Sequence, residues 1–170
     1  MKTYSITTLG CQMNVSDSER VAAVCEAMGY VESKKGQTPD LIVINSCSIR
    51  QKAEDRVFGM GKRFAQLKTE NPKLKTVLTG CMAKRDVRQG SDKSSEYQEK
   101  YEGNLQKQMP WLDYVLEISD VYILPELLGE QVESKVDDYF AVTPKYNSKF
   151  QVFVPISTGC NKACTLCIVP

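Results

Sequence analysis

Apolar residues fall along this chain in two patterns: short continuous blocks, and longer stretches spaced three or four apart. The blocks "TYSITTLGC", "DLIVINSC", "LKTVLTGC" and "LDYVLEI" predict strands. The second block is apolar almost throughout, as expected of a strand covered on both faces. Between the first two blocks, Val21, Val24, Cys25 and Met28 recur at helical spacing, with Gly29 as the stop. Ser16 and Glu19 have the hydroxyl-to-carboxylate spacing of a capping box and predict where that helix starts. Ala53, Val57, Met60, Phe64 and Leu67 form the stripe of a second helix, opened by Ser48 or Gln51 and running to the breaker Asn71-Pro72. Strand and helix alternate with short connections. This predicts an α/β fold, a doubly wound, mostly parallel sheet of Rossmann or flavodoxin-like type.

The later chain is less regular. From Asp86 to about Ser95 it is polar and reads as a loop or insertion. Tyr97, Tyr101, Leu105 and Met109 fall four apart and predict a helix that Pro110 ends, and "DVYILPELLG" predicts a shorter one. "EQVESKVDDYFAVTPKYNSK" has no clear period and reads as a linker, and "FQVFVPI" predicts a last strand. The resulting division is a first domain over 1–131, a linker over 132–148 and the start of a second domain over 149–170.

Composition adds little to this outline. The chain has 170 residues, 42% hydrophobic and 25% charged, with net charge +1, as in ordinary globular proteins. It lacks the overall basic footprint of a nucleic-acid binder. Arg50, Lys52, Arg56, Lys62, Arg63, Lys84, Arg85 and Arg88 do cluster in sequence and could meet phosphates. The acids among them, Glu54 and Asp55, favour the plainer account of a solvated helix face. No apolar run has the length of a membrane span, and "MKTYSITTLG" lacks the apolar core of a signal peptide, so a cytoplasmic protein with no membrane partner is expected.

Seven cysteines and no histidine change the picture. An odd count in a reducing compartment argues against a disulfide framework, and zinc would have to rely on thiolate or carboxylate ligands. Cys11, Cys47 and Cys81 each stand just past the carboxyl end of a predicted parallel strand, the edge where ligands bind in open α/β sheets. Gly10 and Gly80 precede two of them and would let the backbone bend close to a bulky group. Any one of these cysteines alone reads as a small buried hydrophobe, but three at equivalent strand ends predict a shared metal site. Cys25, on the apolar stripe of the first helix, is assigned to the core. Near the end, Cys160, Cys164 and Cys167 are spaced C-x3-C-x2-C with no fourth cysteine or histidine after them. A [4Fe–4S] cube can take three cysteines and leave one iron open. A partial zinc loop is the competing account. The spacing is similar to the radical S-adenosylmethionine signature, which implies that cofactor at the open iron.

Taken together, "TLGCQMNVSDSE", "INSCSIR", "LTGCMAKR" and "GCNKACTLCIVP" resemble the successive blocks of the radical methylthiotransferases, from Lys2 to Pro170. The resemblance implies that Cys11, Cys47 and Cys81 ligate an auxiliary [4Fe–4S] cluster and that Cys160, Cys164 and Cys167 hold the radical cluster. With S-adenosylmethionine and a reducing electron donor, these would place a methylthio group on an unactivated C–H bond. "GCQMN" is most similar to the branch that modifies N6-isopentenyladenosine beside the anticodon of tRNA. The branch acting on ribosomal protein S12 more often has a Pro-Lys pair there. Leu166 stands where many radical enzymes have an aromatic residue, and the polar stretch after Cys81 is longer than the family's usual connection. The family continues into a barrel and a small RNA-binding domain, so this chain is expected to correspond to an N-terminal part, inactive in the full reaction alone. A non-catalytic metal- or redox-sensing α/β module, and RNA binding without chemistry, are the readings from other classes.

Overall fold

The computed structural model describes residues 1–84, 104–132, 136–157 and 165. Five strands form one sheet: β1 (Thr3–Leu9), β2 (Val31–Glu32), β3 (Leu41–Ser46), β4 (Lys75–Thr79) and β5 (Tyr114–Val115). Their spatial order is β2-β1-β3-β4-β5 and every pairing is parallel. This is the flavodoxin-like order, in which the direction of winding reverses between β1 and β3. The strand at the centre, β3, is buried at every position, as its apolar run Leu41 to Ile44 requires, and the burial extends to the polar Asn45 and Ser46. Leu9 pairs with Ser46, and Asn45 with Thr79, so β1, β3 and β4 end nearly level at their carboxyl edge.

The strand β2 was not predicted, because two residues are too few to carry a period. Its connection to β3 contains no helix. Tyr4 and Thr8 of β1 reach one face of the sheet, but Ser5 and Thr7 line an open groove of about 570 Å³ on the other, beside Lys34, Lys35 and Arg63.

Helix α1 (Gln12–Ala27) packs on the face reached by Tyr4 and Thr8. It begins at the N-cap Cys11 rather than at Ser16, where the capping-box spacing had placed its start. Asn14 takes the capping role: its Oδ1 accepts the Cys11 N–H at 3.1 Å. Ser16, Asp17, Ser18, Glu19 and Arg20 therefore lie inside the helix, and all are buried. What looked like a surface start signal is an internal polar face. The helix ends where expected, with Gly29 at φ +78° just past its cap.

The single stripe predicted after β3 forms two helices, α2 (Gln51–Gly59) and α3 (Gly61–Glu70), which meet at Met60. The stripe survives the break, and Ala53, Val57 and Phe64 are all in the core. Phe64 stacks on Trp111 with ring centres 4.5 Å apart, and a Cβ at Gly61 would stand 3.3 Å from the Trp111 Nε1. Helix α4 (Asn104–Gln108) buries Leu105, with Met109 just beyond it, as the spacing predicted; Tyr97 and Tyr101 lie outside the described residues. A 3₁₀ turn (Ile118–Ile123) then leads into α5 (Leu124–Leu128), which Gly129 closes at φ +70°.

The stretch without a period is nevertheless packed. Tyr139 and Val142 are buried, and the chain then runs along α1. The Lys145 N–H donates to the Glu19 carbonyl at 3.0 Å, the Asn147 N–H to Glu19 Oε1 at 3.1 Å, and Ser16 Oγ to the Phe153 carbonyl at 3.5 Å. It is held by single anchors rather than by a repeating face. The last predicted strand does not form among the described residues. Phe150 is 99% exposed and Ile156 92%; the alternation is present, but among the described residues no strand lies alongside to pair with it. The polar stretch from Asp86 to Ser95 lies outside the described residues.

Candidate metal centre

Three cysteines stand at the level carboxyl edge of β1, β3 and β4. Cys11 caps α1, Cys47 directly follows β3, and Cys81 is the first residue of the helical turn after β4. Cys47 is 2% exposed, Cys11 is half-buried and Cys81 is open to solvent. The edge includes the reversal point between β1 and β3, where doubly wound sheets open a crevice.

Two glycines shape that edge. A Cβ at Gly10 would lie 2.1 Å from Asn14 Oδ1 and 2.9 Å from the Cys47 Cβ. Gly80 sits at φ +90°, and a Cβ there would lie 2.4 Å from Asn45 Oδ1 and 2.7 Å from the Ser46 carbonyl oxygen. Any side chain at either position would push the first or third cysteine loop away from the second.

A buried polar network lies beneath the thiols. Asn14 Nδ2 donates to Asn45 Oδ1 at 2.8 Å, while Asn45 Nδ2 donates to the Asn14 carbonyl at 2.8 Å and to Ser18 Oγ at 3.1 Å. Ser18 in turn shares a hydrogen bond of 2.8 Å with Thr8. Arg50 Nη1 donates to the Gly10 carbonyl at 2.9 Å, which ties the second cysteine loop to the first. Of the basic residues clustered in sequence, Lys52, Arg56, Lys62 and Arg63 are exposed, as a solvated face would be, and Lys84 is half-buried; Arg85 and Arg88 lie outside the described residues.

The thiols also sense one another. Although the residue is exposed, desolvation around the Cys81 sulfur raises its pKa, and the neighbouring Cys47, Asp17 and Cys11 raise it further, against a lowering by Lys84. The Ile49 N–H donates to Cys47 Sγ at 3.4 Å and so fixes where that sulfur stands. Three thiolates brought together without a countercharge repel, and a cationic metal group relieves that repulsion. Among the described residues, no three His, Cys, Asp or Glu side chains close on a single ion. A multi-iron cube is wider than one ion and is held by thiolates standing further apart. The donor set and the side-chain-free cradle fit a thiolate-held cluster.

Cys25 belongs to the core, as its place on the stripe indicated: it is fully buried, and burial pushes its thiol up to about 12. Cys160, Cys164 and Cys167 lie outside the described residues, as does Leu166. Sequence reasoning missed Asn14 and Asn45, and it read Arg50 only as part of a basic, solvated face. A signal for Asn45 was present, since a lone amide inside the apolar run "LIVINS" has to find partners once buried.

The sequence profile of the Uncharacterized protein family UPF0004 matches residues 3–116. Among curated relatives, the tRNA-2-methylthio-N(6)-dimethylallyladenosine synthase of Dictyoglomus thermophilum is 39% identical over 181 residues, covering 100% of this chain and 38% of the relative. The proteins of the same name from Thermobifida fusca and Corynebacterium jeikeium are 35% and 34% identical, each over 99% of this chain and 33% and 32% of their own length. The chain thus spans about a third of the length of the curated relatives it matches.

Proposed function

The chain belongs to the UPF0004 family, and from that premise we propose that it carries the auxiliary-cluster domain of a radical S-adenosylmethionine methylthiotransferase. In this reading the enzyme adds a methylthio group to C2 of N6-isopentenyladenosine next to the anticodon of tRNA. The names of the relatives favour tRNA over a ribosomal protein as the substrate. The observation that carries the reading is the convergence of Cys11, Cys47 and Cys81 at the ends of three adjacent parallel strands, around glycines whose Cβ positions are already occupied.

Cys11, Cys47 and Cys81 would hold one [4Fe–4S] cluster, and Cys160, Cys164 and Cys167 a second that works with S-adenosylmethionine. Bound at these sites, such clusters supply sulfur and reducing electrons, chemistry for which no side chain substitutes. The chain's own residues have the tasks of holding and orienting. Gly10 and Gly80 keep the loops close, the Ile49 N–H steadies the Cys47 sulfur, and Arg50 fixes the first loop to the second. The same reading assigns 1–131 to the methylthiotransferase domain, 132–148 to a connection and 149–170 to the start of the radical domain, with a cytoplasmic location and a separate electron donor.

The test is iron and acid-labile sulfide per chain after anaerobic reconstitution, in the wild type and in two triple variants. Cys11/Cys47/Cys81→Ala is expected to lose about four irons, and Cys160/Cys164/Cys167→Ala a further four. Zinc in place of iron, or iron that survives the first triple variant unchanged, overturns the cluster assignment. Nucleoside mass spectrometry of tRNA from cells lacking the parent gene should show the 2-methylthio group missing. A loss confined to ribosomal protein S12 would overturn the substrate.

A further inference from the structure

We infer that Asn45 is the positioning residue that sets the three cysteine loops at one fixed spacing before any metal arrives. This rests on reading Cys11, Cys47 and Cys81 as one ligand set.

Asn45 is 0% exposed and bears the only amide side chain in β3, whose preceding residues, Leu41 to Ile44, are all apolar. Its side chain touches each loop in a different way. Toward the first loop it exchanges two hydrogen bonds with Asn14, one to the side chain and one to the backbone, both at 2.8 Å. Asn14 Oδ1 is in turn the acceptor for the Cys11 N–H at 3.1 Å and lies 3.4 Å from the Cys11 sulfur. Toward the third loop, Asn45 Oδ1 stands 2.4 Å from where a Cβ on Gly80 would be, so the backbone leading to Cys81 rests against the amide oxygen. The second loop is its own strand, with Cys47 two residues further on.

The chemistry needs an amide and not merely a residue of that size. One end must accept from Asn14 Nδ2 while the other donates twice, to the Asn14 carbonyl and to Ser18 Oγ. Leucine would leave Asn14 Nδ2 without its acceptor and take a donor from the Asn14 carbonyl and from Ser18 Oγ, and aspartate would set an anionic oxygen against a carbonyl. Serine would release the first loop and the third together. The plainer account, in which Asn45 only helps to seat α1 on the sheet, predicts a uniform loss of stability and no loop-specific effect.

Amide hydrogen exchange on the metal-free chain separates the two accounts, with Asn45→Ser and Asn14→Ser compared against wild type. In Asn45→Ser, residues around Cys11, Cys47 and Cys81 should exchange about fivefold faster or more, the factor that goes with one lost buried hydrogen bond. In Asn14→Ser only the first loop should quicken. The Cys25 thiol, sealed in the core, should stay unreactive to alkylation in both, which certifies the fold. Exchange that is unchanged in Asn45→Ser, or that rises through the whole sheet in step, overturns the inference. After iron–sulfide reconstitution in a Cys160/Cys164/Cys167→Ala background, Asn45→Ser should alter the electron paramagnetic resonance spectrum of the remaining cluster or lower its iron. An identical spectrum at equal iron also overturns it. Should the wild type take up no iron, the ligand reading fails, and the exchange experiment still decides the role of Asn45.

Discussion

The Tyr139 hydroxyl donates to Asp17 Oδ1 at 2.6 Å, and the Arg20 guanidinium lies 4.7 Å from the centre of the same ring. One side chain of a stretch without secondary-structure period thereby satisfies the middle of α1. Tyr139→Phe keeps the ring and removes only the donor. It should cost about 1.5–3 kcal/mol, as for a hydrogen bond to a charged group. Urea unfolding should register that loss, and hydrogen exchange should quicken over 136–147 while β3 stays protected. Equal urea midpoints would mean that water replaces the hydroxyl without loss.

Glycines at positive φ differ in what surrounds them, and this makes a controlled comparison. Gly36 at φ +89° has nothing within 4 Å of its Cβ position, whereas Gly80 at φ +90° meets a backbone carbonyl and the Asn45 amide. Gly36→Ala should cost about 1–2 kcal/mol of backbone strain alone. Gly80→Ala should cost clearly more and also reduce iron uptake, since the third loop has to move. Thermal melts of the two variants side by side check the ordering.

Asp17 and Asp40 should give opposite pH dependences. Burial raises the Asp17 carboxyl, against lowering by Tyr139 and Arg20, so its folded pKa exceeds its unfolded value. Its stabilising contribution is therefore present at low pH and is lost as pH rises from about 3.8 through the raised folded value. The backbone N–H of Thr3, 2.8 Å from Asp40 Oδ2, is the main cause holding Asp40 below its usual range. That contribution is present above 3.8 and is lost as pH falls through the lowered folded value. Stability measured against pH should show wild type losing ground to Asp17→Asn on the way up and to Asp40→Asn on the way down. A wild-type-minus-variant difference that is flat with pH would refute the assignment for that residue.

The stacking of Phe64 on Trp111 joins α3 to the segment before β5. Phe64→Ala should destabilise by about 3–5 kcal/mol. It should also shift the emission of Trp111, the single tryptophan, to longer wavelength as water reaches the indole. Unchanged emission would show that the core closes over the gap.

The central strands could be read from sequence because β3 and β4 are largely apolar blocks, as burial demands, because β1 is rich in β-branched and aromatic residues, and because all three lead into Gly-Cys or Ser-Cys. Their common edge follows from parallel winding alone, which is why Cys11, Cys47 and Cys81 could be grouped before any coordinates were known. The start of α1 was misread for a physical reason. Ser16 to Glu19 have the chemistry of a surface cap, but Ser16, Asp17 and Glu19 find partners in Phe153, Tyr139, Lys145 and Asn147, more than a hundred residues later, and Ser18 finds Thr8 and Asn45 on the sheet. Local spacing cannot encode a partner at that distance. Likewise the lone amide of Asn45 signals that it needs buried partners, but only the fold shows them to be Asn14 and Ser18, with Gly80 crowding the same oxygen.

Each of the three thiols of the sheet edge belongs to a different strand-to-helix step, so the sulfurs meet only when β1, β3 and β4 have paired. On a ribosome adding roughly 5–20 residues per second, Cys11 emerges several seconds before Cys81. For that interval the nascent chain offers at most two of the three edge thiols, with the sheet still incomplete. A metal group captured early would find an incomplete ligand set and a half-made sheet. If the three thiols hold the cluster proposed above, assembly has an obligatory order, with folding first and loading second. A loaded site is then a certificate that all three central strands have found their register.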